Sequence, residues 1–270
     1  MGDPQEMNLA GYLARIGYAG ACTPTRDTLA ALHRAHATSI PFENIDIQLG
    51  RPILLDIEAL QRKVIGENRG GYCFEHNTLA LHALRAVGFD VIACEARVRL
   101  GATRLAPRTH MILLVTVNSE SWLWDTGFGG DTPLEPLRFD GRVAEQGGAS
   151  YRLAVEGSLG VVQMNAAGEW TDLYAFVPEA REPIDFEVAN WYTSTHPDSH
   201  FVTTLTAQQR TANGSRVLRN LSYCARVNGR FDTHEIARAD LVPLLRAEFG
   251  LDVPSHATFR ALDTPSPARA

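Results

Sequence analysis

The sequence predicts an α+β protein in which a mainly helical first stretch leads into an antiparallel sheet or small barrel, followed by a smaller mixed region. Three observations predict it. Apolar residues recur at helical spacing up to about residue 88; beyond Gly88 the chain turns to short β-branched and aromatic runs; a helix-like stretch near residue 190 then separates those runs from further strands and a helix. With 270 residues, 45% hydrophobic and 21% charged, the chain can bury a large core in two or three modules.

From Leu9 to about His36 the spacing of Leu9, Tyr12, Leu13 and Ile16, then of Leu29, Leu32 and His33, predicts two amphipathic helices broken at Thr23-Pro24-Thr25. Pro41 biases Ile40 away from helix, so Ile40 to Asp46 reads as a loop or short extended piece. Ile57 to Val64 is a further helix, and Asn77 to Val87 carries a helical apolar stripe that stops at Gly88. Strands are expected at Asp90–Leu100, His110–Val117, Ser121–Phe128, Tyr151–Val155, Val161–Gln163 and Asp172–Val177. The loops Gly127-Phe128-Gly129-Gly130 and Gln146-Gly147-Gly148 between them could admit a ligand. A helix over Glu187–Ser194 leads to strands at Phe201–Ala207, Arg216–Leu221 and Ser222–Val227 and a helix at Arg238–Phe249; Pro254–Ala270 is expected to end loosely packed. The resulting division is 1–88, 89–185, 186–200 and 201–270.

A net charge of −6, with no basic cluster interleaved with aromatics, argues against nucleic acid as a partner. Met1 to Glu6 lacks a cationic and apolar leader, and no stretch reaches eighteen uninterrupted apolar residues, so no membrane is expected and the cytoplasm is the expected location. Cys22, Cys73, Cys94 and Cys224 are widely spaced without a Cys-x-x-Cys pair, which points away from a disulfide framework or a zinc ribbon. His33 and His36 share a helix face but have no cysteine or carboxylate at ligand spacing, so no metal is expected.

The chemistry centres on Arg69-Gly70-Gly71-Tyr72-Cys73-Phe74-Glu75-His76-Asn77. A free cysteine is as a rule a small buried hydrophobe, and Cys22, Cys94 and Cys224 are read that way. Cys73 differs. It follows two glycines, which permit a sharp turn and a close approach, and it falls at a helix N-terminus, where the helix dipole favours a thiolate. As a nucleophile it needs a base and an orienting acid from elsewhere.

His110 opens the apolar run Met111–Val115, and Asp125 ends Trp122-Leu123-Trp124-Asp125. A two-residue turn at Asn118-Ser119 would set Val117 opposite Glu120 and place His110 and Asp125 diagonally on one face, roughly 7–8 Å apart at Cα. The expected bond runs from His110 Nδ1–H to Asp125, leaving Nε2 toward Cys73. Spacing alone leaves this constellation and a pair of ordinary core residues both open. His76, three residues after Cys73, is too close on the same helix to be the base.

Together these residues resemble the arylamine N-acetyltransferases. The resemblance rests on Pro41-Phe42-Glu43-Asn44, the Arg69–Asn77 segment, Thr109-His110, Asp125-Thr126-Gly127-Phe128-Gly129 and Asn190-Trp191-Tyr192-Thr193-Ser194-Thr195-His196-Pro197. It implies a helical bundle carrying the cysteine, a central β-barrel carrying histidine and aspartate, and an α/β lid joined by an interdomain helix, a core arrangement like that of cysteine proteases. It also implies a Cys73, His110, Asp125 triad, acetyl-CoA as co-substrate, and ping-pong transfer to arylamines, hydrazines or arylhydroxylamines. By the same resemblance Phe42, Val98, Phe128 and Phe201 line the acceptor pocket, and Thr109, Gly127, Gly129 and Gly130 lie near the coenzyme. His76 stands where the family commonly has glutamine, and as a titratable group it is expected to influence the pH profile.

The main rival is an amide synthase that releases or cyclises a polyketide chain with the same triad. A thiol hydrolase or transglutaminase-like enzyme and a silent binding module are the others; intact triad residues argue against the last.

Overall fold

The computed structural model describes residues 6–166 and 168–263. The N-terminal residues Met1 to Gln5, part of the leader reading, and residues 264–270 of the tail lie outside them. The first helices form as the spacing requires. In α1 (Leu9–Arg15) the Asn8 side chain accepts from Gly11 N; in α2 (Arg26–Ser39) Thr25 Oγ1 accepts from Thr28 N at 3.3 Å, and the buried face carries Leu29, Leu32, His33 and His36.

Phe42–Glu43 is a short strand, β1, where a loop or extended piece was expected. A one-turn helix α3 (Ile45–Gln48) follows, then α4 (Ile57–Leu60), started by Asp56 capping Ala59 N and continued as a wide π-type turn over Gln61–Gly66. Helix α5 (Cys73–Val87) opens at the cysteine and ends at Gly88, whose φ of 101° meets the left-handed requirement of a helix C-terminus.

An eight-stranded antiparallel sheet, curled into a nearly closed barrel, comes next. Its strands are β2 (Asp90–Val98), β3 (His110–Val117), β4 (Glu120–Trp124), β5 (Leu137–Arg138), β6 (Ala144–Gln146), β7 (Ala149–Glu156), β8 (Leu159–Asn165) and β9 (Trp170–Phe176), in the order β5-β4-β3-β2-β9-β8-β7-β6. β3 is buried on both faces. Met111, Leu113, Val115 and Val117 join the core packed against α5, while Ile112 and Leu114 face the barrel interior with Cys94, Tyr151 and Tyr174.

Helix α6 (Pro183–Thr195) crosses to α7 (His200–Thr203) and a five-stranded sheet of β10 (Thr206–Thr211), β11 (Gly214–Arg219), β12 (Ser222–Val227) and β13 (Arg230–Glu235), backed by α8 (Leu241–Phe249) and a last turn α9 (Arg260–Asp263). Its remaining strand is β1, which pairs with β10 through Phe42 opposite Gln208 and Glu43 opposite Ala207. The short strand that bridges to Gly71 of the cysteine turn is thereby built into the C-terminal sheet.

Four expectations need correcting. Phe201 lies in a helical turn, not a strand, because Ser199 Oγ caps Phe201 N and the amides of Asn44 and Gln48 take the Phe201 carbonyl. The strand begins only at Thr206. β4 stops at Trp124 instead of running to Phe128, since the Asp125 N–H turns to His33 Nε2 at 3.3 Å. The stretch after Pro254 is not loose up to residue 263: Phe259 is in the core and Arg260–Asp263 is helical. β5, β6 and β13 are additional; β13 has every residue exposed and so lacks an alternating signature. Among the described residues no helix is long and apolar enough to cross a membrane.

Candidate active site

Gly70 and Gly71, just ahead of Cys73, do not have positive φ. They are required for space. A Cβ on Gly70 would lie 1.8 Å from the Pro41 carbonyl oxygen, and one on Gly71 would lie 2.4 Å from Glu75 Oε2. The close neighbours that these glycines admit are the protein's own Pro41 and Glu75. Glu43 N donates to Gly71 O at 2.7 Å, strapping β1 to the cysteine turn.

Ion pairs brace that turn from beneath. Arg69 reaches Glu43 Oε1 through Nε at 2.9 Å and Nη2 at 2.7 Å, and Lys63 Nζ lies 2.6 Å from Asp46 and 2.7 Å from Glu75. Glu75 also accepts from Tyr72 N at 3.0 Å, satisfying a helix-end donor. Burial raises the Glu75 carboxyl against the pull of Lys63, whereas Lys63, Arg69 and Arg51 hold Asp46 down in spite of burial.

Cys73 is 3% exposed, and its Sγ lies 3.7 Å from the Thr109 carbonyl oxygen. The hairpin forms as expected. Asn118 and Ser119 have φ of 51° and 65°, the mirror-image turn geometry, and Val117 lies opposite Glu120. His110 and Asp125 therefore meet on the barrel-interior side, 3% and 1% exposed. The expected orientation is reversed, however: Nε2 of His110 donates to Asp125 Oδ2 at 2.8 Å, which leaves Nδ1 as the ring nitrogen available to Cys73. The nitrogen farther from the backbone is the one that spans the diagonal gap between strand positions.

Asp125 is surrounded by donors. Besides His110 it accepts at Oδ1 from Gly127 N at 2.8 Å and Asn77 Nδ2 at 3.1 Å, and the buried Tyr174 hydroxyl, which has no hydrogen-bond partner among the described residues, lies near the same carboxylate. Burial favours the neutral acid, but these partners together hold Asp125 below the usual carboxylate range. Burial likewise opposes charge on His110. Asp125 and Cys73 outweigh it and push His110 up to about 10, so the imidazolium is the resting form.

The sequence-expected pocket residues fall into two groups. Phe128 meets His110 edge-on at 5.2 Å and Tyr174 at 5.0 Å, and Val98 is the strand partner of Tyr174. Phe42 and Phe201 form the other group, 5.9 Å apart, with Phe201 also 5.3 Å from Tyr72. Of the residues expected near the coenzyme, Thr109 touches the Cys73 sulfur and Gly127 lies against its backbone, where a Cβ would be 2.7 Å from the Cys73 Cα. Gly129 and Gly130 are buried against Gln208, whose Oε1 accepts from Gly130 N at 2.7 Å; they shape the loop instead of opening it. Gly147 and Gly148 turn the β6–β7 hairpin, with Gly147 close to Arg210.

Asn77, His33 and Tyr174 are site residues that had no assigned role in the sequence. Asn77 was the most accessible of them: four residues after Cys73, it lies on the same helix face. His76 does not face the sulfur. Its Nδ1 meets His36 Nε2 at 2.9 Å and its Nε2 meets the Pro41 carbonyl at 3.2 Å. Burial pushes it down to about 4, so it stays neutral near pH 7.

A buried cysteine, a histidine and a wrapped carboxylate meet where helix and barrel join, a constellation of the kind that enzymes with a nucleophilic thiol can use. Residues 25–258 match the N-acetyltransferase family. An arylamine N-acetyltransferase of Mycolicibacterium smegmatis is 40% identical over 92% of this chain and 93% of its own length. An arylamine N-acetyltransferase / N-hydroxyarylamine O-acetyltransferase of Salmonella typhimurium is 36% identical over 91% and 89%. Among solved structures, an M. smegmatis N-arylamine acetyltransferase variant superposes with a TM-score of 0.89 at 37% identity, covering 96% of this chain and all of that one. The Mycobacterium marinum enzyme in complex with CoA gives 0.85 at 37% identity over 90% and 92%. The chain belongs to the arylamine N-acetyltransferase family, a family of acyltransferases.

Proposed function

We propose that the protein transfers the acetyl group of acetyl-CoA to arylamines, and by the same route to hydrazines and arylhydroxylamines, through an acetyl-cysteine at Cys73. The observation that carries the reading is the Cys73, His110, Asp125 arrangement, with His110 bonded to Asp125 at 2.8 Å and the Cys73 sulfur against the residue before His110. The CoA-bound M. marinum relative supports the choice of donor. The segments 1–88, 89–185, 186–200 and 201–270 serve as cysteine-bearing bundle, histidine- and aspartate-bearing barrel, connecting helix and lid.

In the first half-reaction the Cys73 thiolate attacks the thioester carbonyl. The tetrahedral adduct collapses, the carbon–sulfur bond to coenzyme A breaks, and the departing thiolate takes the proton from His110 Nδ1. In the second, the amine nitrogen attacks acetyl-Cys73, His110 accepts the nitrogen's proton, and the Cys73 thiolate is expelled with the amide as product. Asp125 steadies the imidazolium throughout. The donor approaches past Thr109 and Gly127, and the acceptor ring occupies the apolar space framed by Phe42, Val98, Phe128 and Phe201.

Intact-mass spectrometry tests the scheme. Acetyl-CoA alone should add one acetyl group to Cys73, and an arylamine should then remove it. An unmodified protein that does take a long-chain acyl group from a thioester would overturn the reading in favour of the amide synthase.

A further inference from the structure

Behind the cysteine helix lies a run of buried hydrogen bonds that the reaction itself does not use. Tyr12 Oη meets His36 Nδ1 at 2.8 Å, His36 Nε2 meets His76 Nδ1 at 2.9 Å, and His76 Nε2 meets the Pro41 carbonyl at 3.2 Å. Only one direction satisfies every member. A carbonyl only accepts, so His76 donates from Nε2 and accepts at Nδ1; His36 then donates from Nε2 and accepts at Nδ1, which takes the Tyr12 hydroxyl proton. All three residues are at most 2% exposed, and both imidazoles are neutral.

The bond ends on the residue before Phe42. Pro41 O receives a second, longer donation from Gly71 N at 3.4 Å, and the His76 ring stacks on Phe42 with centroids 6.2 Å apart and planes at 23°. Phe42 in turn packs on Phe201. We infer that His76 is a positioning residue for the acceptor: by holding the Pro41 carbonyl and stacking on Phe42, it sets the aromatic wall against which the amine's ring lies. This rests on the acetyl-transfer reading, in which Phe42 lines the acceptor pocket.

The chemistry of the side chain supplies the test. Glutamine can accept from His36 through its oxygen and donate to Pro41 through its amide; methionine fills similar space and does neither. His76→Gln should keep the arylamine KM within about twofold of wild type, whereas His76→Met should raise it about five- to tenfold, the loss of one net hydrogen bond. The rate at which acetyl-CoA loads Cys73, read by intact mass, should change by less than about twofold in both variants. An unchanged KM in His76→Met, or equal behaviour of the two variants, would overturn the inference. Nitrogen-15 NMR of wild-type protein provides an arm free of folding effects. It should find His76 as the neutral Nε2–H tautomer; an Nδ1–H tautomer removes the bond to Pro41 and with it the inference. A wild-type protein that fails to load acetyl sinks the acetyl-transfer reading instead, and the NMR result still stands on its own.

Discussion

Gly127 lies directly against Cys73: a Cβ on the glycine would lie 2.7 Å from the Cys73 Cα and 2.9 Å from Asn77 Nδ2. Both atoms belong to the helix that aims the sulfur: one is backbone, and the other ends a side chain held by the Met111 carbonyl and Asp125. The loop after the aspartate and the helix of the cysteine are thus in contact only because residue 127 has no side chain. Gly127→Ala should push the Asp125 loop away from α5, stretch the Gly127 N–H bond to Asp125 and lower the Cys73 acetylation rate by at least about tenfold. Rapid-quench acetylation kinetics would show it, and a rate equal to wild type would refute the contact's importance.

Cys73→Ser should remove at least about a thousandfold of turnover while circular dichroism and melting remain near wild type, because the hydroxyl is smaller than the thiol and a far weaker nucleophile beside the same imidazole.

Asp125→Asn should be nearly as damaging, on the order of 10²–10⁴ in kcat/KM. Every neighbour of the carboxylate donates: His110 Nε2, Asn77 Nδ2 and Gly127 N. An amide nitrogen placed there must face a donor, and the carboxamide no longer stabilises the imidazolium. The His110 titration, followed by NMR, should move down from about 10 toward its ordinary value.

Beneath the cysteine turn, Arg69 is buried and donates from Nε and Nη2 to a single oxygen, Oε1, of Glu43. Glu43→Gln or Arg69→Met alone leaves a buried charge short of its partner and should cost about 3–5 kcal/mol in chemical denaturation. The double variant should recover part of that loss, and strictly additive costs would show that the pair is not coupled.

Stability should fall on both sides of neutral pH, with opposite causes. His33 and His76 are pushed down to about 4 by burial, and His36 well below its ordinary value. The stability they contribute is complete above about 6.5 and is lost as pH falls through 4. His110 is raised to about 10, so its contribution is complete below about 6.5 and is lost as pH rises through 10. Melting temperature against pH should show both limbs; replacing His110 by Gln should flatten the alkaline limb only.

Much of the site was legible from local pattern. Cys73 and Gly88 mark the two ends of one helix, and the Asn118-Ser119 turn sets the register that brings His110 and Asp125 to the same face. Both features follow from residues close together in sequence, where spacing and turn chemistry decide geometry. Helix α7 at Phe201 and the end of β4 were not legible. Each depends on a partner far along the chain: Asn44 and Gln48 take the carbonyls after residue 200, and His33 takes the N–H of Asp125.

By itself the sequence determined the helical start, the strand-rich middle, the place of Cys73 at a helix N-terminus and the parity of the histidine and aspartate, because periodicities of 3.6 and 2 act over a few residues. Only the tertiary structure decided which imidazole nitrogen faces the carboxylate, why Gly70, Gly71 and Gly127 have no side chain, and that His76 faces Pro41 and not the sulfur. Those outcomes depend on close packing and on the pairing of buried donors with acceptors between segments distant in sequence, and no local pattern encodes them.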